Sequence, residues 1–227
     1  MMMEKDYKNK KIKEILERYF EDEMNKSNEV VVNYCDRRVV FYNKNLFGNG
    51  QGGYIKKYIL HKKPKLMVML GLKKNPCNHY KNIVYKIREI GLGVIDAEIT
   101  LEKRENFFYR KYIIVTKNGG KTLSSLEKKF KDNKDIYIKF FNFFIKLCQN
   151  KIYPTDFNLG GFLINEKNEI NLIDLDSYKI DKKLNKKLIE KLIKGLEGNY
   201  KVGIHEEKFI EFFKEQVKRV KKELNWE

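Results

Sequence analysis

Tyr153-Pro-Thr-Asp-Phe-Asn-Leu-Gly-Gly-Phe-Leu-Ile164 and, after a short turn, Ile170-Asn-Leu-Ile-Asp-Leu-Asp176 are the most informative stretch of this 227-residue chain. The first segment is a polar loop that runs into a short apolar strand. The turn Glu166-Lys-Asn-Glu169 leads to a second apolar strand that ends in aspartates, so Phe162–Asn165 and Ile170–Leu175 read as a tight hairpin. Asp156 and Asp174 stand 18 residues apart, one before the hairpin and one after it. Taken singly, Asp156 suits a turn or a helix cap, and Asp174 suits a strand end. Taken together, they are two carboxylates that a compact hairpin can bring to one place.

The flanking sequence supplies the surroundings. Asp135–Gln149 is rich in Phe and Ile nearly all round, the pattern of a buried helix, and Leu123–Asp132 reads as a short helix before it. Asp181–Leu196 and Glu206–Trp226 are amphipathic and Lys-rich. Upstream, Lys117–Lys121 contains Gly119 and Gly120 and reads as a linker. Before it the period is that of strands: Val30–Val32, Val39–Tyr42, Tyr54–Leu60, Val94–Leu101 and Phe107–Thr116. A helix over Asn78–Ile90 separates the third strand from the fourth, and His61–Pro76 reads as an irregular basic connection. Residues 4–24 form an amphipathic helix by their apolar spacing. Gly48–Gly53 matches G-x-G-x-x-G literally, but no helix follows it, so it reads as a flexible hairpin turn and not as a nucleotide loop.

Composition narrows the class. Hydrophobic residues make up 42% of the chain, which excludes global disorder. Cys35, Cys77 and Cys148 form no CxxC pair, so a reducing compartment is expected over a disulfide scaffold. No run reaches the roughly 18 apolar residues of a membrane span, and the start lacks the apolar core of a signal peptide. Lys and Arg number 48 against 31 Asp and Glu, a net charge of +17, which suits acidic partners. Charge alone would also fit a nucleic-acid binder, but the chain shows no RNP motif, zinc knuckle or helix-turn-helix signature.

Five strands with one helix after the third, a linker, a buried helix, a polar loop and a hairpin ending in Asp follow the element order of a protein-kinase-like fold. The polar loop resembles the kinase catalytic loop and the second hairpin strand resembles the segment that ends in D-F-G. On this resemblance Asp156 is the catalytic base and Asp174 holds Mg²⁺ on the phosphates of ATP. The pattern V-A-I-K falls on Tyr54-Ile-Lys-Lys57 and puts the phosphate-binding lysine at Lys57, with Ile55 on the same strand face. Lys56 takes that place if the strand slips by one. The loop Asn33–Arg38 would cover the phosphates with Arg37 and Arg38. The adenine would lie near a hinge at Thr116–Gly120, with Thr116 and Lys117 among the cofactor-binding residues.

The chain further resembles the lipopolysaccharide core heptose kinases, in particular the heptose(II) branch, over about residues 28–180. The residues that carry this are Tyr54-Ile-Lys-Lys57, His79-Tyr-Lys-Asn-Ile83, Tyr112-Ile-Ile-Val-Thr116, Gly119-Gly-Lys-Thr-Leu123, Thr155–Asn165 and Asn171-Leu-Ile-Asp-Leu175. The resemblance implies an α+β, two-lobed fold: residues 1–117 as a lobe with a five-stranded antiparallel sheet, and residues 118–227 as a short, mainly helical lobe. It implies an ATP- and Mg²⁺-dependent kinase that phosphorylates a heptose hydroxyl of the lipopolysaccharide inner core. The enzyme would be a cytoplasmic monomer without specific nucleic-acid binding, in contact with the anionic inner face of the inner membrane. Lys62, Lys63, Lys65, Lys73 and Lys74 form one candidate basic patch, and Lys218, Arg219, Lys221 and Lys222 another. The sequence departs from the kinase pattern at Pro154, in the place of the loop His, and at Gly161, in the place of the metal-binding Asn. Asn158 is the candidate substitute as metal ligand. No Glu on the helix after Lys57 stands plainly where it could pair with that lysine; Glu89 lies near the helix end. These departures leave two further readings, a pseudokinase that binds nucleotide or a partner, and a kinase of the same fold with a different acceptor.

Overall fold

The computed structural model describes residues 12, 14–17, 19–20, 29–33, 38–60, 62–72, 74–104, 110–180, 182–203 and 205–226. Residues 34–37 of the predicted loop Asn33–Arg38, with Cys35 and Arg37, lie outside them. The chain divides into two compact units, Met1–Lys81 with Asp96–Asn118, and Asn82–Ile95 with Gly119–Glu227. The expected division after residue 117 differs from this at residues 82–95, which group with the second unit.

The first unit is built on β1 (Glu29–Asn33), β2 (Arg38–Asn43), β3 (Gly53–Leu60), β4 (Ala97–Arg104) and β5 (Arg110–Lys117). They form one antiparallel sheet in the order β1-β2-β3-β5-β4. β-Branched and aromatic residues suit these strands because their side chains pack on a pleated surface. Strand alternation sorts the residues into two faces. Phe41, Ile55, Ile113 and Val115 share one face, and the helical positions Ile12, Leu16, Tyr19 and Phe20 pack on it. Each such burial contributes about 2 kcal/mol. Lys111 adds a hydrogen bond from its ammonium to the Phe20 carbonyl, 2.8 Å long. The glycine-rich segment is a self-contained turn: Phe47 N donates to Gln51 O at 3.0 Å and Gln51 N to Gly48 O at 2.9 Å.

Two elements differ from expectation. Lys62–Met69 is a helix, not an irregular connection. Pro64 falls in its first turn, where a missing N–H costs nothing, and the Leu and Met that follow are good helix formers. The fourth strand starts at Ala97 and not at Val94. Val94 and Ile95 pair elsewhere, in the second unit.

That second unit has a Phe-rich core around the helix Lys134–Gln149. Phe140, Phe141 and Phe144 pack against Phe157, Phe162 and Phe213, with ring centroids from 4.7 to 6.3 Å apart. The short helix expected over Leu123–Asp132 is a 3-10 helix over Leu123–Asn133. The linker runs into a short strand, β6 (Lys121–Thr122), which joins β8 (Phe162–Ile164) and β9 (Ile170–Leu172) in the order β6-β8-β9. The expected hairpin is β8–β9. Val94 bridges Leu172 in parallel, Ile95 N donates to Leu172 O at 2.9 Å, and Leu172 N donates to Gly93 O at 3.0 Å. Gly93 permits this approach, because a Cβ there would run into the Ile170 carbonyl. A second pair, β7 (Ile152–Pro154) with antiparallel β10 (Tyr178–Ile180), was not legible in the sequence. The helix expected at 181–196 runs Lys186–Lys201, because Asn185 caps it by accepting from Leu188 N at 2.9 Å. The last helix is Glu207–Glu223. No described helix is long and apolar enough to cross a membrane.

Candidate active site

In the second unit the polar loop begins where β7 ends. Pro154 pairs with Tyr178 of β10, and the next residues extend that join. Thr155 Oγ1 donates to Ser177 O at 2.9 Å, and Asp156 N donates to Ser177 Oγ at 3.2 Å. Phe157 then turns into the core, which leaves the Asp156 carboxylate exposed at the surface. Asn158 holds that carboxylate: its Nδ2 donates to Asp156 Oδ1 at 2.9 Å. The other end of the same amide accepts from Gly161 N at 3.0 Å and caps the 3-10 turn Leu159–Gly161. The structure therefore joins Asn158 to Asp156, and the amide oxygen that would meet a metal ion also serves as a cap.

Asp174 comes to the same loop from the other strand. Ile173 N donates to Gly161 O at 2.9 Å, which ties the end of β9 to the loop. Asp174 itself adopts the left-handed conformation, with φ 55° and ψ 55°, and its side chain is exposed. Asp and Asn tolerate this conformation better than other non-glycine residues. Tyr178 is buried, and its phenol is pushed well above its ordinary pKa, by burial first and then by the carboxylates of Asp174 and Asp156. The Ile173–Gly161 bond and the bonds of Thr155 and Asp156 to Ser177 bring together the two segments that carry the aspartates. Among the described residues no three His, Cys, Asp or Glu side chains gather into a ready-made metal site.

The loop has a support that sequence reasoning missed. Asn199 is buried in the helix Lys186–Lys201. Its Oδ1 accepts from Leu159 N at 2.9 Å, and its Nδ2 donates to Phe157 O at 2.9 Å. These bonds fix the backbone on either side of Asn158. A signal existed, since Asn199 continues the apolar stripe Leu188, Leu192, Leu196, where a polar residue is out of place unless bonded.

In the first unit the candidate nucleotide residues fall on opposite sides of the sheet. Ile55 and Lys57 lie on the face that carries Phe41, Ile113 and Val115, the face packed by the helical residues 12–20. Lys57 is only 2% exposed there. Lys56 and Thr116 lie on the other face with Tyr54, Tyr58 and Tyr112. The Lys56 ammonium sits 5.5 Å from the centre of the Tyr58 ring, and Arg38 packs on the same ring at 5.6 Å. Lys117 is exposed and paired with Glu98 at 3.1 Å.

The start of the helix Pro76–Glu89 belongs to the Lys56 face. Cys77 in its first turn contacts the carbonyls of Leu101 and Ile113 at 3.7 and 3.8 Å. Burial pushes the Cys77 thiol up to about 11, with Lys81 and Glu102 acting in opposite directions. Tyr112 is likewise raised, chiefly by burial, with Glu102 and Cys77 contributing. Glu102 and Tyr112 face the Lys56 side of the sheet. In a kinase the phosphate lysine must face the helix that follows the third strand, because a Glu of that helix pairs with it. Lys56 lies on the face of this helix and Lys57 on the opposite one.

No protein-family model matches the chain, and no curated protein matches it. Solved structures do. The structure titled "WaaP in complex with acyl carrier protein" matches with a TM-score of 0.55 and 13% sequence identity, over 88% of this chain and 82% of that one. At that identity the likeness speaks for the fold, a mixed fold of antiparallel sheets and helices of the kind kinases have.

Proposed function

We propose that this protein is a Mg²⁺-dependent kinase that transfers the γ-phosphoryl group of ATP to a sugar hydroxyl, a heptose of the lipopolysaccharide inner core. The observation that carries the proposal is the tied loop: Asn158 is bonded to Asp156, and the Ile173–Gly161 bond brings the segment of Asp174 against the same loop. The motif resemblance and the fold likeness to WaaP support the same reading.

Phosphoryl transfer asks little covalent chemistry of a protein; positioning and charge neutralisation do most of the work. One oxygen of Asp156 is held by Asn158, so the other is left to accept the hydrogen bond, and then the proton, of the acceptor hydroxyl. Asp174 would hold Mg²⁺, which neutralises phosphate charge when bound. Asn158 orients Asp156, and its oxygen is the candidate second metal ligand. In the first unit Lys56 is the candidate for the α- and β-phosphates, with Lys57 the alternative and Thr116 near the adenine. The acceptor would be a saccharide lipid, met by a monomer at the cytoplasmic face of the inner membrane.

The test is ATP turnover with Mg²⁺ on core saccharide lipid that lacks the phosphate, for the wild type and Asp156→Asn. Transfer that collapses in the variant supports the kinase and its base. ATP binding without transfer in either protein would point to a pseudokinase, a reading favoured by Gly161, which offers no side chain for a second metal ion. Transfer to a different acceptor would keep the chemistry and change the substrate.

A further inference from the structure

We propose that residues 62–74 dock the protein on an anionic lipid bilayer, with Leu66, Met67, Met69, Leu70 and Leu72 seated among the headgroups and the flanking lysines on the lipid phosphates. These five residues run from 37% exposed at Met67 to 70% at Leu72. Among the described residues the only other largely exposed big apolar side chains are Tyr85 and Val202, both outside this segment. A single exposed leucine is ordinary, but five within seven positions form a contiguous apolar surface that water disfavours. The local structure explains why they point outward. The helix Lys62–Met69 ends with Leu70 N bonded to Leu66 O at 2.9 Å and Gly71 N bonded to Val68 O at 3.1 Å. Gly71, at φ 69°, then turns the chain so that Leu72 follows on the outside, and a Cβ at Gly71 would meet nothing within 4 Å. The apolar tip of this segment is open to solvent.

Charge selects the occupant. Lys63 and Lys74 are exposed on either side of the apolar tip, and Lys62, Lys65 and Lys73 stand in the same short segment. Residues 37–88 contain no Asp or Glu at all. A second copy of this chain would bring lysines against lysines, so self-association through the tip is disfavoured. An anionic bilayer offers phosphates to the lysines and an apolar layer just beneath, the two requirements of an interfacial segment. The tip has flexible Leu and Met side chains, which adapt to a fluid surface.

The proposal is independent of the kinase reading, because docking needs neither ATP nor acceptor. The experiment is flotation of the full chain with vesicles of phosphatidylglycerol and phosphatidylcholine, against phosphatidylcholine alone, without nucleotide. The wild type should bind the anionic vesicles and scarcely the neutral ones. Leu70→Glu with Leu72→Glu should weaken partition by at least about tenfold, and Lys63→Glu with Lys74→Glu by a similar factor. All four positions are exposed, so both double variants should keep the wild-type melting temperature. Wild-type-like binding by the Leu pair would overturn the proposal, since attraction would then be charge alone. So would equal binding to neutral vesicles, or none to either. A wild-type dimer in sedimentation that the Leu pair dissolves, without vesicle binding, would assign the tip to a second copy.

Discussion

The loop around Asp156 and the strand around Lys57 carry the two halves of the proposed chemistry, and they are fixed in different ways. Every residue from Thr155 to Gly161 except the exposed Gly160 is held by a directed bond or by burial: Thr155 on Ser177, Asp156 on Asn158, Phe157 and Leu159 on Asn199, Gly161 on Asn158. Such a loop has one register. The strand Gly53–Leu60 has two lysines side by side, and alternation sends them to opposite faces. A slip of one residue in reading that strand exchanges a candidate phosphate ligand for a lysine of the packed face. A polar loop tied by specific bonds thus announces its chemistry, while a strand hides it behind a parity.

The sharpest break of this comparison is Asp156→Asn, which removes the base but keeps the Asn158 contact sterically. Phosphoryl transfer should fall by about 10²–10⁴-fold, with the melting temperature unchanged because Asp156 is exposed. Steady-state transfer and a thermal melt check it.

The parity itself is tested next, by Lys56→Met and Lys57→Met. If Lys56 faces the nucleotide, its loss should lower kcat/KM by about 10²-fold, as removal of a charged transition-state contact does. Lys57→Met should then change stability more than turnover, because it replaces a buried group. Measured kcat/KM with denaturant midpoints for both variants separates the two. The reverse pattern would place the nucleotide on the Ile55 face.

A smaller effect is expected from Asn199→Ala, which strips the loop of its support. It leaves Leu159 N and Phe157 O buried without that partner, a cost of about 1–3 kcal/mol. Chemical denaturation reads the stability, and kcat should fall severalfold while the KM for ATP holds. A loop held by packing alone would show neither change.

The smallest effect lies away from the site. Both ring nitrogens of His205 face acceptors, Glu127 Oε1 and, at 2.7 Å, the Val202 carbonyl, so the protonated ring satisfies both. Burial pulls the His205 pKa down, but the Glu127 and Val202 bonds outweigh it, and the net shift is upward from 6.5. The folded pKa is the higher one, so this stabilisation is complete below about pH 6.5 and is lost as pH rises through the folded value. Melting curves across that range should show the slope in the wild type and not in His205→Gln.

Much of this arrangement was legible before any coordinates. The β8–β9 hairpin and its two aspartates followed from a turn sequence and an apolar pattern, both local. The helix Lys134–Gln149 followed from its Phe and Ile spacing. What escaped was non-local or borderline. β7 and β10 are three residues each and exist only because Ile152–Pro154 meets Tyr178–Ile180 across the loop. Val94 and Ile95 look like the start of a strand, yet they bond to Leu172 because Gly93 lets the backbones approach. Asn199 was visible as a polar residue in an apolar stripe, but its partners lie about 40 residues away in sequence.

The left-handed backbone at Asp174 has a bearing on how this protein should be dissected. Alanine pays about 1 kcal/mol or more to stand at such a φ, whereas asparagine occupies it readily and glycine freely. An alanine scan would therefore blend a backbone penalty into whatever the lost carboxylate does and overstate the residue's chemical share. Asparagine isolates the charge, glycine isolates the side chain, and the gap between alanine and glycine measures the conformational toll on its own.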